Sequence, residues 1–138
     1  MRKVYAGGML LAVLVAAALI LNTWHTTEAA GGKKGPMIVH NVFFALKDNS
    51  PKAREQLIEA CKKHLTKHPG EVYFAAGPIA EDLKREVNDR DFDVALTIVF
   101  EDRKAHDAYQ DAARHKQFID ENKDNWKKVR VFDSLAHP

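Results

Sequence analysis

Two stretches of the chain alternate large apolar side chains with smaller or polar ones. In residues 92–100 the large side chains recur at every second position, at Phe92, Val94, Leu96, Ile98 and Phe100. Successive side chains of a β-strand point to opposite faces, so this set lies on one face of a predicted strand. Residues 37–46 show the same period and place His40 among large apolar neighbours. The pattern therefore predicts two strands, each with a bulky buried face.

Two further stretches are predicted to be strands. Residues 71–80 are rich in apolar side chains, and Gly77-Pro78 within them indicates a bend or an edge position. Residues 129–135 form the last predicted strand. Between the second and third strands, the charged residues 81–91 predict a surface loop that acts as a mobile lid or rim.

Helical spacing connects these strands. Ser50 and Pro51 are typical of an N-cap and a first helical position, and Pro69-Gly70 ends the helix after about His68. A second helix begins at Glu101-Asp102. Its inward positions are predicted to be Ala105, Ala108, Tyr109 and Ala112. This helix is expected to break near Arg114, with a short helical turn from Phe118 to about Asn125.

The element order is thus β-α-β-β-α-β. This order predicts an α+β, ferredoxin-like domain with a four-stranded antiparallel sheet and helices on one face. The opposite face would be apolar and uncovered, at Val39, Phe43, Ala95, Val99 and Phe132. Two such faces can pair into a closed barrel, so we expect a homodimeric α/β barrel.

The N-terminal segment has a different character from the domain. A basic start is followed by a long apolar run and by small residues near Ala29 and Ala30. This order predicts a signal peptide over residues 1–30, a linker over 31–36 and the domain over 37–138. The protein would then be exported to a periplasmic or extracellular location. The alternative is an uncleaved membrane anchor, because the run has about the length of a membrane span.

Charge argues against nucleic-acid binding. The chain has 21 basic and 19 acidic residues, but four of the basic and one of the acidic residues precede Met37. The domain itself is therefore close to neutral and lacks the basic surface of a nucleic-acid-binding protein. Cys61, the single cysteine, is predicted to be buried and unreactive.

The seven histidines do not by themselves predict a metal site. His64 and His68 have the i, i+4 spacing that can chelate a metal from one helix face, but no further ligand accompanies them in the sequence. Their position near a helix C-terminus suits the helix dipole. We therefore predict neither a metal nor a cofactor.

Several motifs occur in a recognisable order. They are the first-strand histidine in IVHNVFFALK, Gly77, the strand FDVALTIVFED, the spacing from Tyr109 to His115, and the terminal VFD. With these motifs the sequence resembles the stress-responsive dimeric α/β-barrel (Dabb) domain family over about residues 37–135. The family includes plant stress-induced proteins and a polyketide cyclase.

The resemblance implies a set of site residues. In the cyclase a tyrosine and a histidine six residues later form an acid/base pair, with a first-strand histidine nearby; Tyr109, His115 and His40 occupy the matching positions. Family members commonly have His-Pro-x-His here, whereas this chain has Ala112-Ala113-Arg114-His115. One histidine and the proline are therefore missing.

Strand parity places His40 on the helix-facing side of the sheet, where Tyr109 and His115 also belong. We predict an apolar pocket there, lined by Phe44, Leu57, Leu96, Ile98 and Phe118. Three functions are compatible with this pattern. The favoured one is binding of a small apolar or aromatic molecule; the alternatives are a cofactor-independent acid/base enzyme of the polyketide-cyclase type and a non-catalytic interaction module.

Overall fold

A computed structural model of the chain describes residues 35–137. The predicted signal peptide and most of the predicted linker lie outside the described residues. None of the described helices combines the length and the apolar character needed to cross a membrane. The described strands and helices are β1 (Met37–Leu46), α1 (Pro51–Leu65), β2 (Glu71–Pro78), β3 (Val94–Phe100), α2 (Arg103–Asp111), α3 (Ala113–Asn122) and β4 (Trp126–Ala136), with a 3₁₀ turn at Lys123–Asn125.

The four strands form one antiparallel sheet in the order β2-β3-β1-β4. The two strands with the strongest alternation, β1 and β3, are the central ones, and β2 is an edge strand as Gly77-Pro78 predicted. The ferredoxin-like arrangement predicted from the element order is confirmed.

The core lies between one face of the sheet and the helices. Ile38, Phe44, Leu96 and Phe100 contribute from the central strands. From the helices come Leu57, Cys61, Leu65 and Phe118. The alternation of β3 is reproduced in its burial, because every second residue from Val94 to Phe100 is buried. Burying such side chains is the main favourable term in folding, at about 25 cal/mol per Å² of apolar area.

Both predicted helix starts are capped by side chains. Ser50 Oγ accepts a hydrogen bond from the amide of Ala53, at 3.3 Å, and Pro51 is the first helical residue. Asp102 Oδ1 accepts one from the amide of Ala105, at 2.8 Å. Each cap satisfies a backbone donor that has no partner within its helix.

The second helical segment differs from the prediction in two ways. It breaks at Ala112, which has extended backbone angles (φ −63°, ψ 137°), and α3 begins directly afterwards at Ala113. The inward residues of α2 are His106 and Tyr109, whereas Ala108 is exposed. An imidazole can occupy this position because polar partners surround it, as described below.

The start of the third strand also differs from the prediction. Phe92 does not share the helix-facing side with Val94; its ring contacts Phe43 on the opposite face, with centroids 5.0 Å apart. The carboxylate of Asp93 is turned inward instead. It accepts a hydrogen bond from the amide of Leu46 at 2.8 Å and one from Arg54 at 3.1 Å. These bonds compensate the burial of a charged group and end the regular alternation at Val94.

The segment between β2 and β3 is a loop, as predicted, and ion pairs connect it to the rest of the domain. Asp89 pairs with Arg130 at 2.5 Å, and Asp91 pairs with Lys128 at 2.7 Å. Glu81 pairs with Arg54 at 2.6 Å. The loop therefore contacts both β4 and α1.

The sheet face away from the helices carries the five apolar residues predicted for it. Cross-strand pairing sets Val39 opposite Val99 and Phe43 opposite Ala95. Phe43 also contacts Phe132, with ring centroids 5.7 Å apart. Phe132 remains 54% exposed in the single chain.

Cys61 provides a simple test of how closely the core is packed. The thiol is fully buried on α1, and burial raises its pKa to about 12. Because the thiolate is the reactive species, we expect no labelling by a maleimide in the native protein at neutral pH, and stoichiometric labelling after denaturation. Mass spectrometry measures both. Rapid labelling of the native protein would contradict the burial of Cys61.

Candidate functional site

A cavity of about 420 Å³ lies between the sheet and α2 and α3. Its floor comes from β1, β3 and β4, and its mouth is next to β4, where Val129 and Val131 are exposed. The walls are mainly apolar, with the polar side chains of His40, His106, Tyr109, Gln110, His115 and Asp133. A concave, largely apolar space of this size with a few polar groups is typical of small-molecule sites.

His40 is positioned by the register of the sheet. It points towards the helices from β1 and lies directly opposite Asp133 on β4. Its Nδ1 is 2.6 Å from Asp133 Oδ1. Burial lowers the pKa of His40, and the hydrogen bond to Asp133 opposes this effect without reversing it. The imidazole is therefore mainly neutral near pH 7 and donates its Nδ1–H to the carboxylate.

His115 has a defined tautomer. Its Nδ1 is 3.1 Å from the backbone carbonyl oxygen of Gln110, and a carbonyl can only accept. The proton of the neutral ring is therefore on Nδ1, and Nε2 carries the lone pair. Burial lowers the pKa of His115, so the basic form is present at neutral pH.

Tyr109 connects the two histidines. Its ring centroid is 4.5 Å from that of His115, with the planes inclined by 41°, and 5.8 Å from that of His40. Burial is the largest cause that raises the pKa of the Tyr109 phenol, followed by the nearby Cys61 and Glu71. The phenol stays protonated at neutral pH, so it can donate a proton or a hydrogen bond.

The structure thus brings together the three polar residues named from sequence. Of the predicted pocket residues, Phe44, Leu96 and Phe118 line the cavity. Leu57 and Ile98 do not; both are buried in the packed core outside it. Leu57 lies on α1, and the part of α1 that lines the cavity is its last residue, Leu65.

Three polar residues of the cavity, His106, Gln110 and Asp133, are not among the site residues predicted from the sequence. His106 precedes Tyr109 by three positions, a spacing that puts both side chains on one helix face. The spacing of the alanines around Tyr109 points to a different inward set, which leaves His106 out. Asp133 belongs to the VFD motif, and only its pairing with His40 across the sheet indicates a role for it.

His64 and His68 are buried but have other partners. The Nε2 of His64 lies 3.0 Å from Glu121 of α3. The Nε2 of His68 donates to the carbonyl oxygen of His64, at 3.0 Å. Both residues are therefore explained by contacts that hold α1 and its C-terminal turn in place.

Comparison with known proteins identifies the domain. A model of the stress responsive A/B barrel domain (Dabb) family matches residues 38–136. The chain belongs to this family. The resemblance noted in the sequence is therefore confirmed, and the Dabb match extends from the second residue of β1 to the end of β4. Curated proteins give no match to the chain.

Solved structures show the same fold at low sequence identity. A Dabb family protein with a ferredoxin-like fold from Mesorhizobium loti has a TM-score of 0.62 and 22% identity, covering 75% of this chain and 99% of its own. A dimeric ferredoxin-like protein of unknown function from Thermobifida fusca gives 0.62 and 20%, covering 74% and 92%. A hydroxynitrile lyase from Passiflora edulis gives 0.60 and 21%, covering 75% and 95%. At these identities the similarity shows the fold alone.

Proposed function

We propose that this Dabb protein is an exported homodimer that binds a small apolar or aromatic molecule in the cavity between the sheet and the helices. The observation that carries this proposal is the cavity itself. A space of about 420 Å³ is within the range of small-ligand sites, and apolar side chains form most of its wall. An interaction module would need no such space, so the cavity favours ligand binding over that alternative.

The polar groups favour a ligand with one polar end. The imidazoles of His40 and His115 and the phenol of Tyr109 line the same cavity as Phe44, Leu96 and Phe118. An aromatic or acyl part can contact the apolar wall while a hydroxyl or carbonyl group hydrogen-bonds to a ring nitrogen or to the phenol.

Export and dimer formation complete the proposal. The order of basic, apolar and small residues at the N-terminus supports export. The homodimer is supported by the uncovered apolar face and by the description of related folds, such as the Thermobifida fusca protein, as dimeric. N-terminal sequencing of the protein from its native host tests the export, which requires a mature start near Ala30 or Gly31.

Filling the mouth of the cavity should weaken ligand binding. Val131 lines the cavity and is 50% exposed, so Val131→Trp can place an indole over the opening with little strain in the core. Calorimetric titration with a panel of aromatic and fatty-acyl compounds should give binding to the wild type and at least a tenfold loss in the variant.

Val72→Trp is the matched control. Val72 is a valine with similar exposure, 58%, on β2, and it does not line the cavity. This variant should bind like the wild type. Equal affinity of all three proteins would place the ligand elsewhere, and the absence of binding by the wild type across the panel would contradict the proposal.

An acid/base enzyme is the second candidate, and the His115–Tyr109 pair is the observation that favours it. The lone pair of His115 Nε2 can take a proton from a carbon next to a carbonyl group, and the protonated phenol can stabilise the resulting enolate. The Passiflora edulis protein of this fold is named a lyase, which is consistent with chemistry on this scaffold.

A further inference from the structure

His106 has no role in the function proposed above, although it is buried in the cavity wall. It projects from α2 towards the His40–Asp133 pair, with its ring centroid 5.4 Å from that of His40. Its Nε2 lies 4.0 Å from Asp133 Oδ1. One ligand atom from each of His40, His106 and Asp133 lies within 4.8 Å of the other two. Within residues 35–137 this is the only group of three or more His, Cys, Asp or Glu residues placed closely enough to hold a metal ion.

We infer that His40, His106 and Asp133 form a site for a divalent transition metal, of which Zn²⁺ is the best match. Two imidazoles and one carboxylate are a ligand set that Zn²⁺ uses when it keeps one position open. Harder ions such as Mg²⁺ and Ca²⁺ prefer oxygen ligands, so the two imidazoles make them a poorer match. A thiolate site for Zn²⁺ would need cysteines, and this cluster contains none.

The distances are compatible with a tetrahedral site after small movements. Around Zn²⁺ with bonds of about 2.0–2.1 Å, two ligand atoms lie roughly 3.3 Å apart. His40 Nδ1 carries the ring proton in the metal-free protein, so this proton must move to Nε2 before Nδ1 can bind the metal. The 2.6 Å separation of His40 Nδ1 and Asp133 Oδ1 must then widen, and the 4.0 Å separation of Asp133 Oδ1 and His106 Nε2 must shorten. One displacement of the Asp133 carboxylate can do both. The third separation, between the ligand atoms of His40 and His106, is within 4.8 Å and depends on the two imidazole rings instead. The Asp133 side chain is 45% exposed on an edge strand, so it is free to make this change.

The surroundings of His106 are those of a metal ligand. Its Nδ1 is 3.1 Å from Asp107 Oδ1, so the proton of the neutral ring is on Nδ1 and the Nε2 lone pair points to the cluster. A carboxylate that accepts the second N–H of a ligating histidine fixes its tautomer and makes it a better donor. In the metal-free protein the side-chain amide nitrogen of Gln110 lies 3.2 Å from His106 Nε2 and can donate a hydrogen bond to its lone pair. A metal bound to Nε2 would displace this amide group.

All three ligands line the cavity. A metal bound by them would therefore face the cavity, and its further ligands would come from the molecules inside it. The fourth position would be open to the cavity, where water or an oxygen donor of a bound molecule can occupy it. The class of ligand that this arrangement selects is an aromatic or aliphatic molecule with a carboxylate, phenolate or hydroxyl group. The metal site itself does not depend on the proposed ligand-binding function.

Metal binding is tested with the full-length protein and Zn²⁺ alone. Equilibrium dialysis with metal analysis should give one Zn²⁺ per chain. Replacement by Co²⁺ should give the intense visible absorption of a four-coordinate site. Asp133→Asn and His106→Leu should each weaken binding by more than about 100-fold. Asp107→Asn, which alters only the partner of His106, should weaken it by about 10- to 100-fold.

Two controls separate a built site from unspecific binding to histidine. His137→Ala removes an exposed histidine outside the cluster and should leave the stoichiometry and affinity unchanged. Asp133→Asn keeps the shape of an exposed side chain, so a native circular dichroism spectrum is expected and loss of metal cannot be assigned to unfolding.

Two results would overturn the inference: no saturable binding of one Zn²⁺ per chain by the wild type, or equal binding by the wild type, Asp133→Asn and His106→Leu. The organic-ligand titrations are repeated in the presence of EDTA, so that failure of the metal site and failure of the proposed cavity function are seen separately.

Discussion

Val99→Glu should convert the proposed dimer to a monomer. Val99 lies in a central strand on the face away from the helices, between Val39 of β1 and Tyr73 of β2. If two such faces pack together, each glutamate is buried at the interface without a partner. An unpaired buried charge costs several kcal/mol, and symmetry applies that cost twice. Light scattering and sedimentation measurements give the mass directly.

The matched control is Val87→Glu. Val87 is also a valine but lies in the loop between β2 and β3, where it is 85% exposed, so its replacement should leave the dimer intact. The Val99 side chain is outside the core, and the monomeric variant should therefore keep the far-ultraviolet circular dichroism of the fold. A fully dimeric Val99→Glu protein would show that the dimer uses another surface.

His115→Gln should reduce acid/base catalysis by about 100-fold or more, the usual contribution of a positioned general base. A suitable assay is the exchange of the α-protons of an aryl methyl ketone in D₂O, followed by NMR, because it requires only proton abstraction and no knowledge of a natural substrate. Equal exchange rates for the wild type and the variant would exclude His115 as the base.

The pH dependence of this exchange follows from the pKa of His115. Burial lowers this pKa below the ordinary value of 6.5, and the neighbouring His40, His68 and His106 lower it further, while the hydrogen bond to Gln110 opposes them. The active form is the neutral ring. The rate should therefore be constant at neutral pH and fall as the pH decreases through a value below 6.5.

His64→Gln is the matched control for this variant. His64 is also a buried histidine, but it contacts Glu121 and does not line the cavity. This replacement should affect the stability of the protein and leave the exchange rate of the folded fraction unchanged. A loss of exchange in both variants would indicate that His115→Gln acts through stability.

The sequence by itself determined most of the fold because the responsible signals are local. The period of two in β1 and β3 reports directly which side chains share a face, and the burial of alternate residues follows it. Ser50-Pro51 and Asp102 carry their capping groups within a few residues of the helix that they start. Such a signal can fail where a distant contact competes. Asp93 is such a place. Its carboxylate points inward to accept a hydrogen bond from the amide of Leu46, which is 47 residues away in the sequence, and Phe92 lies on the other face.

The site was determined only in part by the sequence. Family motifs identified His40, Tyr109 and His115, but the partners of these residues depend on how separate elements meet. His40 and Asp133 are 93 residues apart and become neighbours only through the register of β1 and β4. His106 joins them because α2 packs over β1 and β3 and places His106 Nε2 4.0 Å from Asp133 Oδ1. His40, His106 and Asp133 come from three different elements and have no characteristic spacing in the sequence, so only the tertiary structure shows that they form a cluster.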